Sequence, residues 1–251
     1  MDRGGEEQQF HDRQAARRAA DLGDDPRKWW VEEDAYLDHE TWLRPAWARL
    51  ELRTGQKVLD YGCGHGMAAV ILARQGAEVC AVDISAGYIA ETRRRATLNG
   101  VRVQCVQADG EALPFANASF DRVWGHAIVH HLRVKRATAE VARILRPGGV
   151  AVFCEPWGGN PLLEIARRYL PYPGKERTPE ERPLTSGRLA HLRPYFSHIQ
   201  VEGFQLLAGI RRLGWHTGIK WLERLEHRLL QRCPALWQWC RYVVITCRKA
   251  H

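Results

Sequence analysis

Short apolar segments alternate with helical segments between residues 57 and 154, and this alternation restricts the chain to a small set of folds. Strands are predicted where β-branched and other apolar residues cluster, at 57–61, 78–83, 101–107, 120–124 and 150–154. The segments between them include runs with helical spacing, at 67–75, 88–98 and 137–145. Such strands pair in parallel and carry helices on both faces of the sheet. Two later strands, near 198–203 and 242–247, complete the set, so we expect an α/β fold with a seven-stranded, mostly parallel sheet.

The remaining segments suggest how this sheet is framed. Residues 1–28 are polar and charged, which predicts a frayed helix or a flexible lead. Residues 29–50 are rich in aromatic residues with helical spacing, and prolines punctuate the stretch after the fifth strand. We therefore expect one domain over 29–251, with a helical lid at 29–50, a ligand-binding core at 50–155, a substrate-side insertion at 156–184, and C-terminal helices and strands at 185–251.

The composition excludes several classes of protein. The first thirty residues contain no apolar signal segment and no run is long enough for a membrane span, so we expect a cytoplasmic protein. The seven cysteines form no CxxC pair and no histidine stands at ligand spacing from them, which indicates reduced thiols and no metal site.

The net charge of +8 is concentrated in the last part of the chain, because the residues from Gln205 onward carry a net charge of +7. This basic region suits nucleic acid, anionic lipid or an acidic partner, or is simply a solvated face. Its amphipathic, tryptophan-bearing part at 215–239 can lie on a membrane surface or pack on its own domain, and packing is the commoner outcome.

A glycine-rich turn follows the first predicted strand, in the sequence Gly62-Cys63-Gly64-His65-Gly66. A strand, a glycine turn and a helix form a cradle for nucleotide-like ligands, because backbone N–H groups face the ligand and no Cβ atom blocks its approach. The dinucleotide fingerprint G-x-G-x-x-G is not met, since Met67 stands at its third glycine. Asp60 precedes the turn by two residues, and its carboxylate suits a ligand with a positive end better than one with a pyrophosphate.

Two further acidic residues follow the second and third strands. Asp83 lies 17 residues beyond Gly66, where a carboxylate can accept two hydrogen bonds from a ribose diol. In the segment ADGEALPF, Asp109 can accept from an exocyclic amine and the Gly110 N–H can meet a ring nitrogen. Together these features predict an adenosine ligand that carries a cationic tail and no phosphate.

Five motifs in this order, VLDYGCGHG, VDIS, ADGEALPF, FDRVWGHAIVHHL and LRPGG, resemble the class I S-adenosylmethionine-dependent methyltransferases, in the branch with ubiquinone/menaquinone-type and other small-molecule enzymes. The resemblance covers roughly residues 50–155 and implies a Rossmann-like fold with S-adenosylmethionine as cofactor. Carried over to this chain, it places Gly62 and Gly64 under the methionine part, Asp60 near its amino group, Asp83 on the ribose, Ile84 against the adenine, Asp109 and Gly110 at the adenine edge, and His126 on the methyl-transfer side.

The methyl acceptor requires alignment and, for some acceptors, a base. His126 and His130 are the leading candidates for that base, with His131 as a third; alternatively, these rings only pack and bond backbone. Glu155 ends the fifth strand, where it can contact substrate or bond loop backbone. Tyr36 and Trp157 can wall an apolar pocket or belong to the core. No acidic pair suits Mg²⁺, so we expect no metal-dependent mechanism.

These observations lead to one hypothesis and two alternatives. The hypothesis is a methyltransferase that modifies an oxygen, nitrogen or carbon of a small, apolar or aromatic metabolite, with no nucleic acid or membrane as a favoured partner. The first alternative is an RNA or protein methyltransferase that uses the basic C-terminal region as its recognition surface. The second is a regulatory protein that binds S-adenosylmethionine without catalysis.

Overall fold

The computed structural model describes residues 3–169, 182–207 and 219–251. Within these ranges it contains one seven-stranded sheet in the order β3-β2-β1-β4-β5-β7-β6. Strand β7 is antiparallel to both of its neighbours, whereas the other pairs are parallel. The predicted seven-stranded, mostly parallel α/β fold is therefore confirmed. The strands are β1 Lys57–Tyr61, β2 Glu78–Asp83, β3 Val103–Gln107, β4 Phe120–His126, β5 Leu145–Pro156, β6 His198–Phe204 and β7 Tyr242–Arg248.

The helices begin and end where local chemistry allows. Gly66, in the left-handed region with a φ of 71°, turns the chain from β1 into the following helix. Ser85 caps the helix after β2 by accepting the Tyr88 N–H at 3.1 Å. The helices are α1 Arg3–Leu22, α2 Glu33–Leu37, α3 Leu43–Arg49, α4 Met67–Arg74, α5 Ala86–Leu98, α6 Val134–Ile144, α7 Pro161–Tyr169, α8 Ser186–Leu189 and α9 Ile219–Arg232.

Strand β5 starts earlier than the sequence predicts. The Pro-Gly-Gly segment at 147–149 was expected to stop the preceding helix, but α6 already ends at Ile144 and the chain is extended from Leu145. A register shift between Phe120 and Arg122 of β4 accommodates the glycine-containing start of β5, as a β-bulge does.

Apolar residues cover both faces of the sheet, as the continuous apolar strands predict. On one face, Trp42 and Trp47 pack with Trp124 of β4 and with helix α4. On the other face, residues of α6 such as Val141 pack against β1, β4, β5 and β7. The ligand edge of the sheet lies between these two cores.

The N-terminal residues differ from their predicted roles. Residues 3–22 form a helix that packs on α5, so the prediction of a flexible lead is wrong for this stretch. Asp12 of α1 accepts hydrogen bonds from Ser85 Oγ at 2.6 Å and from the Gly87 N–H at 3.1 Å. Arg18 pairs with buried Glu91 of α5 at 3.0 Å. These polar anchors hold a helix whose composition alone suggests fraying.

Helices α2 and α3 do not form the predicted lid. Trp42 and Trp47 are buried in the core against the sheet face, because their rings fill the layer beside Trp124. Within residues 29–50, Tyr36 alone reaches the cavity described below. Helix α1 contributes to the wall of this cavity instead.

After β5, the structure describes residues 157–169, 182–207 and 219–251. The insertion contains α7, and Trp157 pairs with Leu184 across its base, while 170–181 lie outside the described residues. Helix α9 contacts its own domain through buried Glu226, which accepts the N–H groups of Gln205 at 2.7 Å and Leu207 at 2.9 Å. The beginning of the predicted amphipathic stretch, at 215–218, also lies outside the description. In the described ranges, every helix is too short or too polar to cross a membrane.

Candidate active site

A cavity of about 500 Å³ opens at the carboxyl ends of β1, β2 and β4. Ligands of open α/β sheets bind at this edge, because the strand order reverses there and two loops separate. Helix α1 supplies one wall and the glycine turn the floor. The cavity is lined by all of the predicted cofactor residues, Asp60, Gly62, Gly64, Asp83, Ile84, Asp109, Gly110 and His126.

The glycine turn approaches its neighbours too closely for side chains. Gly62 has a φ of 73°, and a Cβ atom there would stand 2.7 Å from the Ile128 side chain. Gly64 has a φ of 47°, and a Cβ atom there would meet nothing within 4 Å. Gly62 is thus required by the fold, whereas Gly64 leaves open space above the backbone that a ligand can fill.

Asp60 places a carboxylate inside the protein next to this turn. The residue is 2% exposed, and no group in the described parts of the chain hydrogen bonds its Oδ2 atom. Burial, and secondly the charge of Asp83, raise the pKa of Asp60 to about 7. A buried carboxylate oxygen that lacks a partner is costly unless a cation or a donor joins it, so this atom marks a place for a positively charged ligand group.

Asp83 ends β2 and is held by backbone groups on both sides. Its Oδ2 accepts the Gly64 N–H at 3.0 Å and its Oδ1 accepts the Ser85 N–H at 2.9 Å. An ionised carboxylate has about four acceptor positions, so both oxygens retain capacity for a diol. Burial raises the pKa of Asp83.

The segment after β3 forms the far end of the cavity. Asp109 is exposed, and its Oδ1 accepts the Glu111 N–H at 2.8 Å, which shapes the turn and leaves Oδ2 available. The Gly110 carbonyl accepts a hydrogen bond from the Tyr61 hydroxyl at 2.7 Å. A Cβ atom on Gly110 would lie 2.7 Å from that hydroxyl oxygen, so the close approach requires glycine.

His126 and Tyr36 also line the cavity, together with Met67 and Trp124. Burial lowers the pKa of His126 to about 4, so its ring is neutral at neutral pH. Burial, and then the charge of Asp60, raise the pKa of Tyr36 far above its ordinary value, so its hydroxyl remains a donor. This part of the lining is largely apolar and aromatic, with one neutral acceptor and one donor.

His130 and Glu155 lie outside the cavity, contrary to the roles predicted for them. Both are buried, and His130 Nδ1 lies 2.7 Å from Glu155 Oε2. Glu155 also accepts the N–H groups of Ile128 at 3.0 Å and Val129 at 2.7 Å. Burial by itself would raise the pKa of Glu155, but these hydrogen bonds lower it below its ordinary value. The pair fixes the loop after β4, so Glu155 bonds loop backbone, which was the alternative interpretation.

Trp157 also lies away from the cavity. Its side chain is fully buried, its Nε1–H donates to the Gln238 carbonyl at 2.9 Å, and its ring packs against Trp237 with centroids 4.9 Å apart. The residue belongs to the core behind β5, because the chain turns away from the ligand edge after Pro156. A role in substrate contact does not fit this placement.

Several cavity residues were not predicted from the sequence. His65 and Tyr88 lie beside the glycine turn with ring centroids 5.1 Å apart, and α1 contributes Glu7, His11 and Gln14. The local sequence identifies α1 as polar but does not indicate where the helix docks. The spacing of Glu7 and His11, four residues apart on one helix face, is the signal that was available.

Residues 59–153 match the family described as "Methyltransferase domain". The chain is 39% identical over 121 residues to a demethylmenaquinone methyltransferase of Corynebacterium efficiens, covering 46% of this chain and 49% of that protein. The first curated relatives are each matched over less than half of their length.

A longer match links the chain to the 27-O-demethylrifamycin SV methyltransferase of Amycolatopsis mediterranei, at 29% identity over 222 residues, covering 82% of this chain and 78% of that protein. Among solved structures, the [4+2]-cyclase SpnF superposes with a TM-score of 0.58 at 22% identity, covering 88% of this chain and 86% of that one. The latter likeness shows the fold alone.

Proposed function

Because residues 59–153 match the methyltransferase domain family, we propose that the chain is an S-adenosylmethionine-dependent methyltransferase of a small, apolar or aromatic metabolite. Relatives named as methyltransferases of demethylmenaquinone and of 27-O-demethylrifamycin SV support a small-molecule acceptor. The acceptor atom is an oxygen, a nitrogen or a carbon.

The observation that carries this proposal is the acidic lining of the nucleotide-type cavity. Asp60, Asp83 and Asp109 follow or end three neighbouring strands and surround one space. Such a lining repels the phosphates of a dinucleotide and attracts a ligand with positive charge. S-adenosylmethionine has an adenosine part, a positive sulfonium and an ammonium, and it carries no phosphate.

The residues present fit this cofactor. The unpartnered Oδ2 atom of Asp60 would receive the ammonium, and the open space over Gly64 would take the methionine part. Asp83 would bind the ribose diol, Ile84 would pack on the adenine, and Asp109 with Gly110 would bind the adenine edge. The bound cofactor supplies a methyl group activated by the sulfonium.

His126 and Tyr36 would orient the acceptor. A neutral imidazole accepts a hydrogen bond from an acceptor O–H or N–H and can take its proton as the bond to carbon forms. The Tyr36 hydroxyl would donate to a polar group of the acceptor. Trp124 and Met67 would exclude water from the path of the methyl group.

A label-partition assay tests this function. Purified protein is incubated with methyl-labelled S-adenosylmethionine and three host fractions: organic-extractable metabolites, total RNA and total protein. We expect label in the organic fraction, and less of it with His126→Ala. Label in RNA or protein would instead identify the basic C-terminal region as a recognition surface, and binding of cofactor without any label transfer would favour a regulatory protein.

A further inference from the structure

Three side chains that line the cavity form a cluster, and none of them is among the residues assigned to the cofactor. Glu7, His11 and His131 each bring one metal-ligand type of atom to this point, and the three atoms lie within 4.8 Å of one another. Glu7 Oε2 is 3.4 Å from His11 Nε2 and 3.5 Å from His131 Nδ1. The cluster joins α1 to the loop after β4.

The distances from Glu7 Oε2 to the two imidazole nitrogens fit atoms that bind one common cation better than direct hydrogen bonds. A charge-assisted bond between an imidazole and a carboxylate is ~2.7–2.9 Å long. The neighbouring pair His130–Glu155 has that geometry, at 2.7 Å. In contrast, two ligand atoms that each lie ~2.0–2.1 Å from a tetrahedral cation are ~3.3 Å apart. The 3.4 and 3.5 Å separations at Glu7 therefore match two edges of a tetrahedral site, and the ligand atoms of His11 and His131 lie within 4.8 Å of each other.

The three side chains are also largely removed from water. Their exposed fractions are 9% for Glu7, 21% for His11 and 14% for His131. Because Glu7 and His11 stand four residues apart on one helix, they face the same side without strain. A carboxylate in so sheltered a place is stabilised by a cation between it and the two rings.

Independent contacts fix both sides of the cluster. On α1, Asp12 next to His11 binds Ser85 Oγ and the Gly87 N–H. On the loop, Glu155 holds the backbone just before His131 through the Val129 N–H at 2.7 Å. A site whose supporting groups are already positioned loses little entropy when a ligand binds.

We propose that Glu7, His11 and His131 bind Zn²⁺ and that the ion fastens α1 over the cofactor cavity. Two imidazoles and one carboxylate suit Zn²⁺ rather than Mg²⁺, which prefers oxygen ligands. All three residues line the cavity, and three protein ligands leave a fourth position for water or another ligand. The sequence predicts no metal site, so this proposal departs from that expectation.

Binding of Zn²⁺ alone to the full chain tests the proposal. A chelator-buffered titration on a Cys233→Ser background, which removes the one exposed thiol among the described cysteines, should yield one tight site. Glu7→Gln and His131→Ala should each weaken that site by at least ~100-fold, since even loss of a supporting residue costs 10–100-fold. The exposed His191→Ala serves as the matched control and should leave the affinity unchanged.

Hydrogen exchange supplies a second readout that does not depend on methyl transfer. Zn²⁺ should slow amide exchange in α1 of the parent chain, and Glu7→Gln should remove this effect without altering exchange in the β-strands. Unchanged exchange in α1 together with equal Zn²⁺ affinity of the parent and both ligand variants would overturn the proposal. Circular dichroism of each variant separates loss of the site from loss of the fold.

Discussion

The buried carboxylate of Asp60, whose Oδ2 atom is unpartnered, makes cofactor binding depend on pH. The residue is 2% exposed, and burial together with Asp83 raises its pKa to about 7. Only its ionised form attracts the ammonium of the ligand, so affinity should increase as pH rises through 7. Replacement by asparagine keeps the size of the side chain and removes the titration.

The size of the effect follows from the ionised fraction. With a pKa near 7, about 9% of the carboxylate is ionised at pH 6 and about 76% at pH 7.5, so affinity should change about eightfold, or ~1.2 kcal/mol. The ligand ammonium has a pKa of ~7.7–8.0 and stays largely protonated over this range. Above pH 8 its own deprotonation should weaken binding again.

The same raised pKa predicts a stability change of the opposite sign. The native state keeps a proton on Asp60 up to about pH 7, whereas the unfolded chain releases it near pH 4, so stability falls as pH rises between these values. Above pH 7 the ionised carboxylate costs on the order of 4 kcal/mol. Asp60→Asn should therefore melt at a higher temperature at pH 8 than the parent chain, and at a similar temperature near pH 4.

Calorimetry with S-adenosylhomocysteine measures the first effect, because this product retains the ammonium and lacks the sulfonium charge. The parent chain should show the eightfold change between pH 6 and 7.5, and Asp60→Asn should bind weakly with a flat profile. An equal pH slope in both proteins would assign the titration to another group, and a flat profile in the parent would refute a raised pKa at Asp60.

Four further predictions concern the two glycines of the turn, Asp83 at the ribose site, His126 in the cavity, and Glu155 behind the loop after β4. Gly62→Ala should lower the unfolding free energy by more than the ~1–2 kcal/mol of left-handed backbone strain, whereas Gly64→Ala should cost only that strain yet abolish cofactor binding. An equal loss of unfolding free energy in the two variants would contradict the open space over Gly64. Asp83→Ala should weaken cofactor binding by ~1.5–3 kcal/mol in calorimetry, and unchanged binding would remove its ribose role. His126→Ala should lower kcat and leave cofactor affinity within about twofold. The kcat of the parent should show no protonation step between pH 5 and 7, because the pKa of His126 is lowered to about 4. A protonation step in this range that disappears in the variant would contradict the lowered pKa of His126. Glu155→Gln should lower the unfolding free energy by ~2–4 kcal/mol while kcat per folded molecule stays near the parent value, and a selective loss of kcat would return it to the active site.

The glycine turn and its acidic partners could be predicted because their information is local. Each of Asp60, Asp83 and Asp109 stands at a fixed distance from the end of a predicted strand, and parallel strands bring such ends to one edge. The alternation of apolar strands and helices supplies those ends. For this reason the sequence could bring these residues to one edge of the sheet, and the structure places all of them in the lining of one cavity.

Side-chain direction was the information that the sequence lacked. His126 ends β4 and His130 follows four residues later, yet one ring faces the cavity and the other faces Glu155. His130 lies in a short helical turn at Val129–His131, and this turn sets the direction of its ring. Periodicity does not reveal a turn of three residues.

Long-range docking was the second missing element. Helix α1 has few apolar residues, and its place is set by Asp12 and Arg18, whose partners are more than 70 residues away. Helical patterns identify an amphipathic face but not the surface that receives it. The aromatic residues Trp42 and Trp47 led to the opposite error, because aromatic spacing is the same in a lid and in a core helix.

The order of strands also affects how the molecule is made on the ribosome. All residues that line the cavity belong to the first 136 positions, and β6 meets the sheet only through β7, which follows it in the chain. The outer edge of β5 therefore stays unpaired throughout synthesis of the intervening residues, although the cofactor cradle is already encoded. An open, apolar strand edge recruits other chains. Early binding of cofactor would stabilise the nascent half sheet, so cofactor supply during translation should govern the yield of unaggregated protein.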